Sequence, residues 1–234
     1  MTGWDFKYFP VVVCASGPSF SQEQAALIRD RRAANACRVI VINNCYRMVP
    51  NADILYAADH RWWKCHIGPR AVDGQPGIKE VCPDMTRYSP EARARQDFGA
   101  EIVHIQGSRG IAAETDKNGK PLNHIVRGSG GGMQAVGLAI KLGARHVVLV
   151  GYDAKRGPRG ESHFHGDHPK EHLPNPQPFE AWAEEYDSLA QPAIERGIRI
   201  AQCSLDTATK KLIRSTLERE LYPNAGSTRQ ATAA

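Results

Sequence analysis

The residues best equipped for chemistry lie between Gly151 and Pro169. Gly151-Tyr152-Asp153 closes an apolar run, and His163-Phe164-His165-Gly166-Asp167-His168-Pro169 follows after a short basic stretch. Three imidazoles and two carboxylates are thereby gathered just past a predicted strand end, where α/β proteins hold ligands against the open edge of a parallel sheet. Imidazole titrates near neutral pH, so His168 or His165 suits a general acid/base, with Asp153 as a neighbouring carboxylate. The same cluster suits a divalent metal, with His163, His165 and Asp167 as the three protein ligands of a catalytic zinc. A solvated polar loop accounts for the same residue types without chemistry, and spacing alone does not choose among the three.

Two glycine loops point toward the same edge. Gly17-Pro18-Ser19 follows the first apolar run, and Arg127-Gly128-Ser129-Gly130-Gly131-Gly132 precedes a predicted helix. Both would present backbone N–H groups to a phosphate, and two such loops favour a nucleotide. Neither is a Walker A loop, because no Lys-Ser/Thr pair follows the glycines, and the first strand lacks a G-x-G-x-x-G. Each also fits a plain tight connection. Asn43 and Asp59 end two more apolar runs and add small polar groups to the edge. The order His163-x-His165-x-Asp167-His168 coincides with the H-x-H-x-D-H signature of the metallo-β-lactamase fold. That fold needs more His and Asp ligands downstream, and no histidine follows His172, so the match reads as accidental.

These residues need elements to hold them. Residues 8–14, 38–42, 53–58 and 146–150 are short, continuous apolar runs rich in β-branched side chains, the pattern of strands buried on both faces of a parallel sheet. Residues 78–82, 101–105 and 198–203 read as further strands. Helices are predicted from a Ser19 or Ser21 cap to about Asn35, over 90–97, over 133–142 with Gly143 as the stop, over 178–196, and from Asp206 onward. Residues 107–121 read as a polar loop or hairpin. The strand–helix alternation predicts an α/β fold, a mainly parallel sheet with helices on both faces. In Asp59-His60-Arg61-Trp62-Trp63-Lys64 the indoles could stack on a base or sugar, although tryptophans more often fill cores. Phe179, Trp182 and Tyr186 share one helical face and read as packing.

Composition bounds the answer. With 234 residues, 41% of them hydrophobic, the chain can bury a full core, and the reading is a single domain over 1–222 with a flexible tail over 223–234. No stretch approaches the ~18 apolar residues of a membrane helix, and the N-terminus has neither a basic nor an apolar leader region, so the expectation is a cytoplasmic protein without membrane insertion. Six scattered cysteines form no C-x-x-C pair and read as reduced core thiols. A formal charge of +5 suits a phosphate-bearing ligand or DNA, but the basic residues are interleaved with acids and form no block.

Taken in order, the motifs carry a resemblance. Gly17-Pro18-Ser19, Asn43-Asn44, Gly128-Ser129-Gly130, Leu149-Val150-Gly151-Tyr152-Asp153 and a late Gly-x-His resemble the Rossmann-like family that includes bacterial sialyltransferases using CMP-sialic acid, flagellin-glycosylation proteins and archaeal 6-hydroxymethylpterin pyrophosphokinase. The His-x-His-Gly-Asp-His-Pro form is most similar to phage and prophage members of that group. The resemblance spans residues 8–205 and implies a nucleotide-binding transferase acting on a CMP- or UDP-sugar. It implies the nucleotide against Gly17, Pro18, Ser19, Asn43 and Asp59, the donor's sugar or phosphate by Gly128, Ser129 and Gly130, and Asp153 closing the pocket. His168, with His165 as runner-up, would be the base toward an acceptor hydroxyl. The paired tyrosines of the sialyltransferases have no counterpart in 155–162, where Lys155, Arg156 and Arg159 stand instead. Two alternatives remain: a pyrophosphokinase that uses ATP and Mg²⁺ held by Asp59, Asp153 and Asp167, and a phage accessory protein that binds without turnover.

Overall fold

The computed structural model describes residues 6–166 and 179–222. In chain order the elements are β1 (Val11–Cys14), α1 (Gln22–Ala33), β2 (Arg38–Ile42), β3 (Ile54–Tyr56), α2 (His60–His66), α3 (Ile78–Val81), β4 (Thr86–Ser89) and α4 (Ala92–Phe98). There follow β5 (Glu101–Ile102), β6 (His104–Gln106), β7 (His124–Val126), α5 (Gly131–Lys141), β8 (His146–Val150), α6 (Phe179–Asp187), α7 (Ala190–Glu195), β9 (Arg199–Gln202), β10 (Ile213–Arg214) and α8 (Leu217–Leu221). Eight strands form one sheet in the order β10-β9-β8-β1-β2-β3-β4-β5, and β6 and β7 pair separately. Every pairing within these sheets is parallel. This is the expected Rossmann-like α/β fold.

Continuous apolar strands are what such a sheet requires, because helices cover both faces. Alternate residues of one strand feed opposite layers. Val12 and Cys14 pack with Ile28 of α1, Trp63 of α2 and Leu217 of α8. Val11 and Val13 pack with Met133, Val136 and Leu138 of α5 and with Ala193 of α7. Ser21 caps α1 by accepting the Gln24 N–H at 3.2 Å. Five of the six cysteines are buried, Cys65 is half-buried, and all six are free thiols.

Several expected elements take another form. Residues 78–81 form a helix after Gly77, and the strand position beside β3 belongs to Thr86–Ser89. So short an apolar run fits either period, and its neighbours decide. The expected strand over 101–105 divides, with β5 on the main sheet and β6 on the small one. The helix expected over 178–196 breaks between α6 and α7. Pro192 sits early in α7, where its missing N–H costs nothing, but a continuous helix would drive its ring against the Ser188 carbonyl. No helix starts at Asp206, because Thr207 Oγ1 donates to the Tyr152 carbonyl at 2.8 Å and accepts the Thr209 N–H at 3.2 Å. Such side-chain bonds compete with the helical ladder. Among the described residues no helix is long and apolar enough to cross a membrane.

Candidate functional site

From β1 the chain runs through α1 to β2 on one side, whereas from β8 it runs to β9 on the other. Loops leaving adjacent strands in opposite directions part from each other, and open α/β sheets take ligands in the resulting gap at the carboxyl edge. A cleft of about 110 Å³ occupies this gap. Its walls come from Ala15 to Pro18 after β1, Ile42 and Asn43 at the end of β2, and Gly130 to Gly132 opening α5. Gly151 to Lys155 after β8, Ser162 and His163, and the aromatic face of α6 complete it.

The loop after β1 is fastened to the loop after β8. Gly17 N–H donates to the Gly151 carbonyl at 2.9 Å. Ser19 donates from both its backbone N–H, at 2.6 Å, and its hydroxyl, at 2.7 Å, to the Asp153 carboxylate. A Cβ on Gly17 would overlap the Gly151 carbonyl oxygen and the Asp153 carboxyl, so this approach requires glycine. Asp153 is 3% exposed. Burial pushes its carboxyl up to about 6, against the pull of the two Ser19 bonds and with the help of the nearby Asp206 charge. Asp153 thus acts as a latch on the Gly17–Ser19 loop.

Backbone strain collects in the same place. Among the described residues three non-glycine residues have left-handed φ, and two of them, Asn43 at 48° and Ala154 at 51°, line the cleft. The third, Asn35, follows α1. For alanine this region costs on the order of 1 kcal/mol or more, and such strain tends to persist where a site demands it.

The eleven-residue α5 opens on the cleft with Gly130 as its N-cap and no side-chain cap. Its first-turn N–H groups and the positive end of its dipole therefore face the space where an anion would sit. A Cβ on Gly132 would overlap the Tyr186 hydroxyl, so the helix can come this close only as glycine. Tyr186 packs edge-on against Tyr152 at 4.9 Å, and Tyr152 donates its hydroxyl to the Gly132 carbonyl at 2.9 Å. Burial pushes both phenols well above their ordinary range, so they remain protonated.

The histidine loop closes back on the first loop. Phe164 N–H donates to the Ser16 carbonyl at 3.0 Å, and its ring meets Phe20 edge-on at 5.8 Å. His163 and His165 lie to either side of Phe164 and stack with ring centres 4.9 Å apart. Lys155 lines the cleft, with its Nζ 2.6 Å from Asp206. Arg156 turns instead to the Gly160 carbonyl and Ser162 hydroxyl, and Arg159 is exposed beside Glu161.

Of the residues singled out from sequence, Gly17, Pro18, Asn43, Gly130, Asp153 and His163 line the cleft, and Ser19 is bonded to Asp153. Gly128 and Ser129 shape the approach to α5: Gly128 has a φ of 54°, and Ser129 N–H donates to Glu185 at 2.9 Å. Asp59 is not among the cleft residues. It caps α2 by accepting the Arg61 N–H at 2.7 Å. Asp167 and His168 lie outside the described residues. Among the described residues no three His, Cys, Asp or Glu side chains are gathered to hold a metal.

The core reading of the α2 indoles holds, and the α6 face, where Tyr186 is core and Trp182 packs against it, adds a cleft wall to its packing role. Trp62 and Trp63 are core, their indole N–H groups donating to Asn44 Oδ1 at 2.8 Å and to the Ala57 carbonyl at 3.1 Å. Phe179, Trp182 and Tyr186 do share one helical face, and that face lines the cleft. Their position directly after the histidine loop was the available signal. Compared with family models, with curated proteins and with solved structures, the chain matches none.

Proposed function

We propose that the protein is a nucleotide-binding transferase of glycosyltransferase-like activity, with the donor nucleotide in the β1/β8 cleft. The observation that carries this reading is the uncapped glycine turn of α5, aimed into a cleft that also holds Lys155, His163 and two strained backbone residues. A donor phosphate suits the α5 N–H groups and Lys155, and a base or sugar face suits Trp182 and Phe179. In the reaction an acceptor hydroxyl attacks the anomeric carbon, and the imidazole of His168 or His165 takes its proton. The bond to the leaving phosphate breaks with its electron pair going to the phosphate oxygen. Lys155 and the helix N-terminus stabilise the charge that develops there.

The pyrophosphokinase alternative draws less support. Its oxygen ligands include Asp59, which caps α2, and Asp153, which is engaged by Ser19. Nucleotide release from CMP-, UDP- and GDP-sugars, followed by chromatography with and without EDTA, tests the proposal. AMP formation from ATP and Mg²⁺ is measured in parallel. The expected result is release of one nucleotide that persists in EDTA and falls about 10²-fold or more in His165→Ala or His168→Ala. Magnesium-dependent AMP formation would favour diphosphate transfer. Binding without turnover, unchanged in both histidine variants, would make the protein a binding module.

A further inference from the structure

A second cavity, of about 560 Å³, adjoins the cleft and shares Ala154, Lys155 and Phe179 with it. From its position and wall chemistry we infer that it is the acceptor site of the transferase, and that the acceptor is a small, uncharged, polyhydroxylated molecule of the sugar or polyol class. This inference rests on the transferase reading. Two-substrate transfer needs the acceptor held beside the donor's reacting atom, and this cavity is the neighbour of the donor cleft, with Ala154, Lys155 and Phe179 common to both walls. Its volume lies within the ~300–1,000 Å³ usual for small-molecule sites.

The walls define the ligand class. Glu180, Glu184 and Asp187 stand at helical spacing on one face of α6, and Lys155, Arg156 and Lys210 also line the cavity. Asp187 is held in place by the backbone N–H groups of Lys210 and Lys211 at 2.8 to 3.0 Å. Lys155 is held by Asp206 at 2.6 Å. Carboxylates only accept hydrogen bonds and cationic side chains only donate them, whereas a hydroxyl does both. A ligand with several hydroxyls can therefore satisfy both kinds of group. Among the described wall residues three acids balance three bases, so these side chains offer no net attraction to a polyanion such as DNA. Phe179, Ala183 and Ala208 supply apolar surface for the C–H face of a ring.

Saturation-transfer NMR with a mixture of neutral mono- and disaccharides, applied to the whole chain, tests the inference. Transfer to at least one sugar is expected. It should weaken about tenfold when Glu180→Gln and Glu184→Gln are combined, and also in Ala183→Trp, which fills the space. Either variant that melts like the wild type suffices, and a short DNA oligonucleotide should not displace the sugar. Absence of transfer, undiminished transfer in the folded variants, or displacement by the oligonucleotide would overturn the inference. The melting shift with CMP and UDP is read on the same samples. Its absence while a sugar still binds would fail the nucleotide reading alone, and its presence without sugar binding would fail the acceptor site alone.

Discussion

Asp153→Asn is expected to stabilise the protein relative to wild type as pH rises. The carboxyl of Asp153 lies up at about 6, against an ordinary 3.8, chiefly because burial disfavours its charged form. A carboxyl raised in the folded state leaves stability intact below its unfolded value, and that stability is lost as pH climbs through the folded value. At about 1.4 kcal/mol per unit the full loss is about 3 kcal/mol, of which about 2 kcal/mol falls between pH 4.5 and 7.5. Asparagine has the same shape, can accept the Ser19 N–H and has no charge to bury. Urea unfolding of both proteins across this range isolates the effect, since all other titrations cancel in the difference. The stability of the variant minus that of wild type should grow by about 2 kcal/mol from pH 4.5 to 7.5. A difference independent of pH, or one that shrinks with pH, would refute the reasoning. Stabilisation together with weaker nucleotide binding would mark Asp153 as a residue retained for function at a cost in stability.

Gly132→Ala should cost about 1–3 kcal/mol by crowding the Tyr186 hydroxyl, and Tyr186→Phe in the same chain should restore most of it. Denaturant midpoints of the two single variants and the double variant check this, and a strictly additive pair would contradict it. Trp182→Ala should weaken nucleotide binding by about 1–3 kcal/mol in a titration, if a base stacks there, while leaving the fold intact. Glu220 ties β8, β9 and α8 together by accepting from His146 at 2.6 Å and Arg199 at 2.9 Å. Burial alone would raise its carboxyl, but the bonds from Arg199 and His146 hold it at about 2. Its stabilisation is therefore complete above about pH 4.5 and lost as pH falls toward 2. Glu220→Gln should cost about 2 kcal/mol at pH 7, with the difference narrowing in acid unfolding curves.

The strands that build the site were legible because a parallel sheet covered on both faces needs uninterrupted apolar runs. β1, β2, β3, β8 and β9 all fall within predicted segments. The glycine turns and Asp153 were legible for a related reason, since small and polar residues directly after such runs fall on the carboxyl edge. Thr86–Ser89 was not, because its strand carries Thr, Arg, Tyr and Ser near the sheet's end, with little apolar pattern to reveal it. The role of Asp153 was only half legible: its place in the cleft follows from strand order, but its bonds to Ser19 depend on a contact across 134 residues of chain. The indoles show the same limit. Periodicity groups side chains on a face without saying whether that face meets core or cavity. Trp62, which could have served a ligand, is core as tryptophans more often are, whereas Trp182 packs on the core and also lines the cleft.

The most direct test of a nucleotide in the β1/β8 cleft is the melting temperature of the purified protein with CMP, UDP, GDP or ATP, each in Mg²⁺, in Zn²⁺ and in EDTA. A ligand at ~100 times its Kd adds about 2.7 kcal/mol, which in a domain of this size is a rise of roughly 5 to 10 °C. The expected result is such a rise with CMP or UDP, equal in Mg²⁺ and EDTA, and its loss in Gly130→Leu, whose Cβ would meet only Trp182 Nε1, at 3.9 Å, at the cleft wall. A melting temperature unmoved by every nucleotide, or moved equally in that variant, would contradict it.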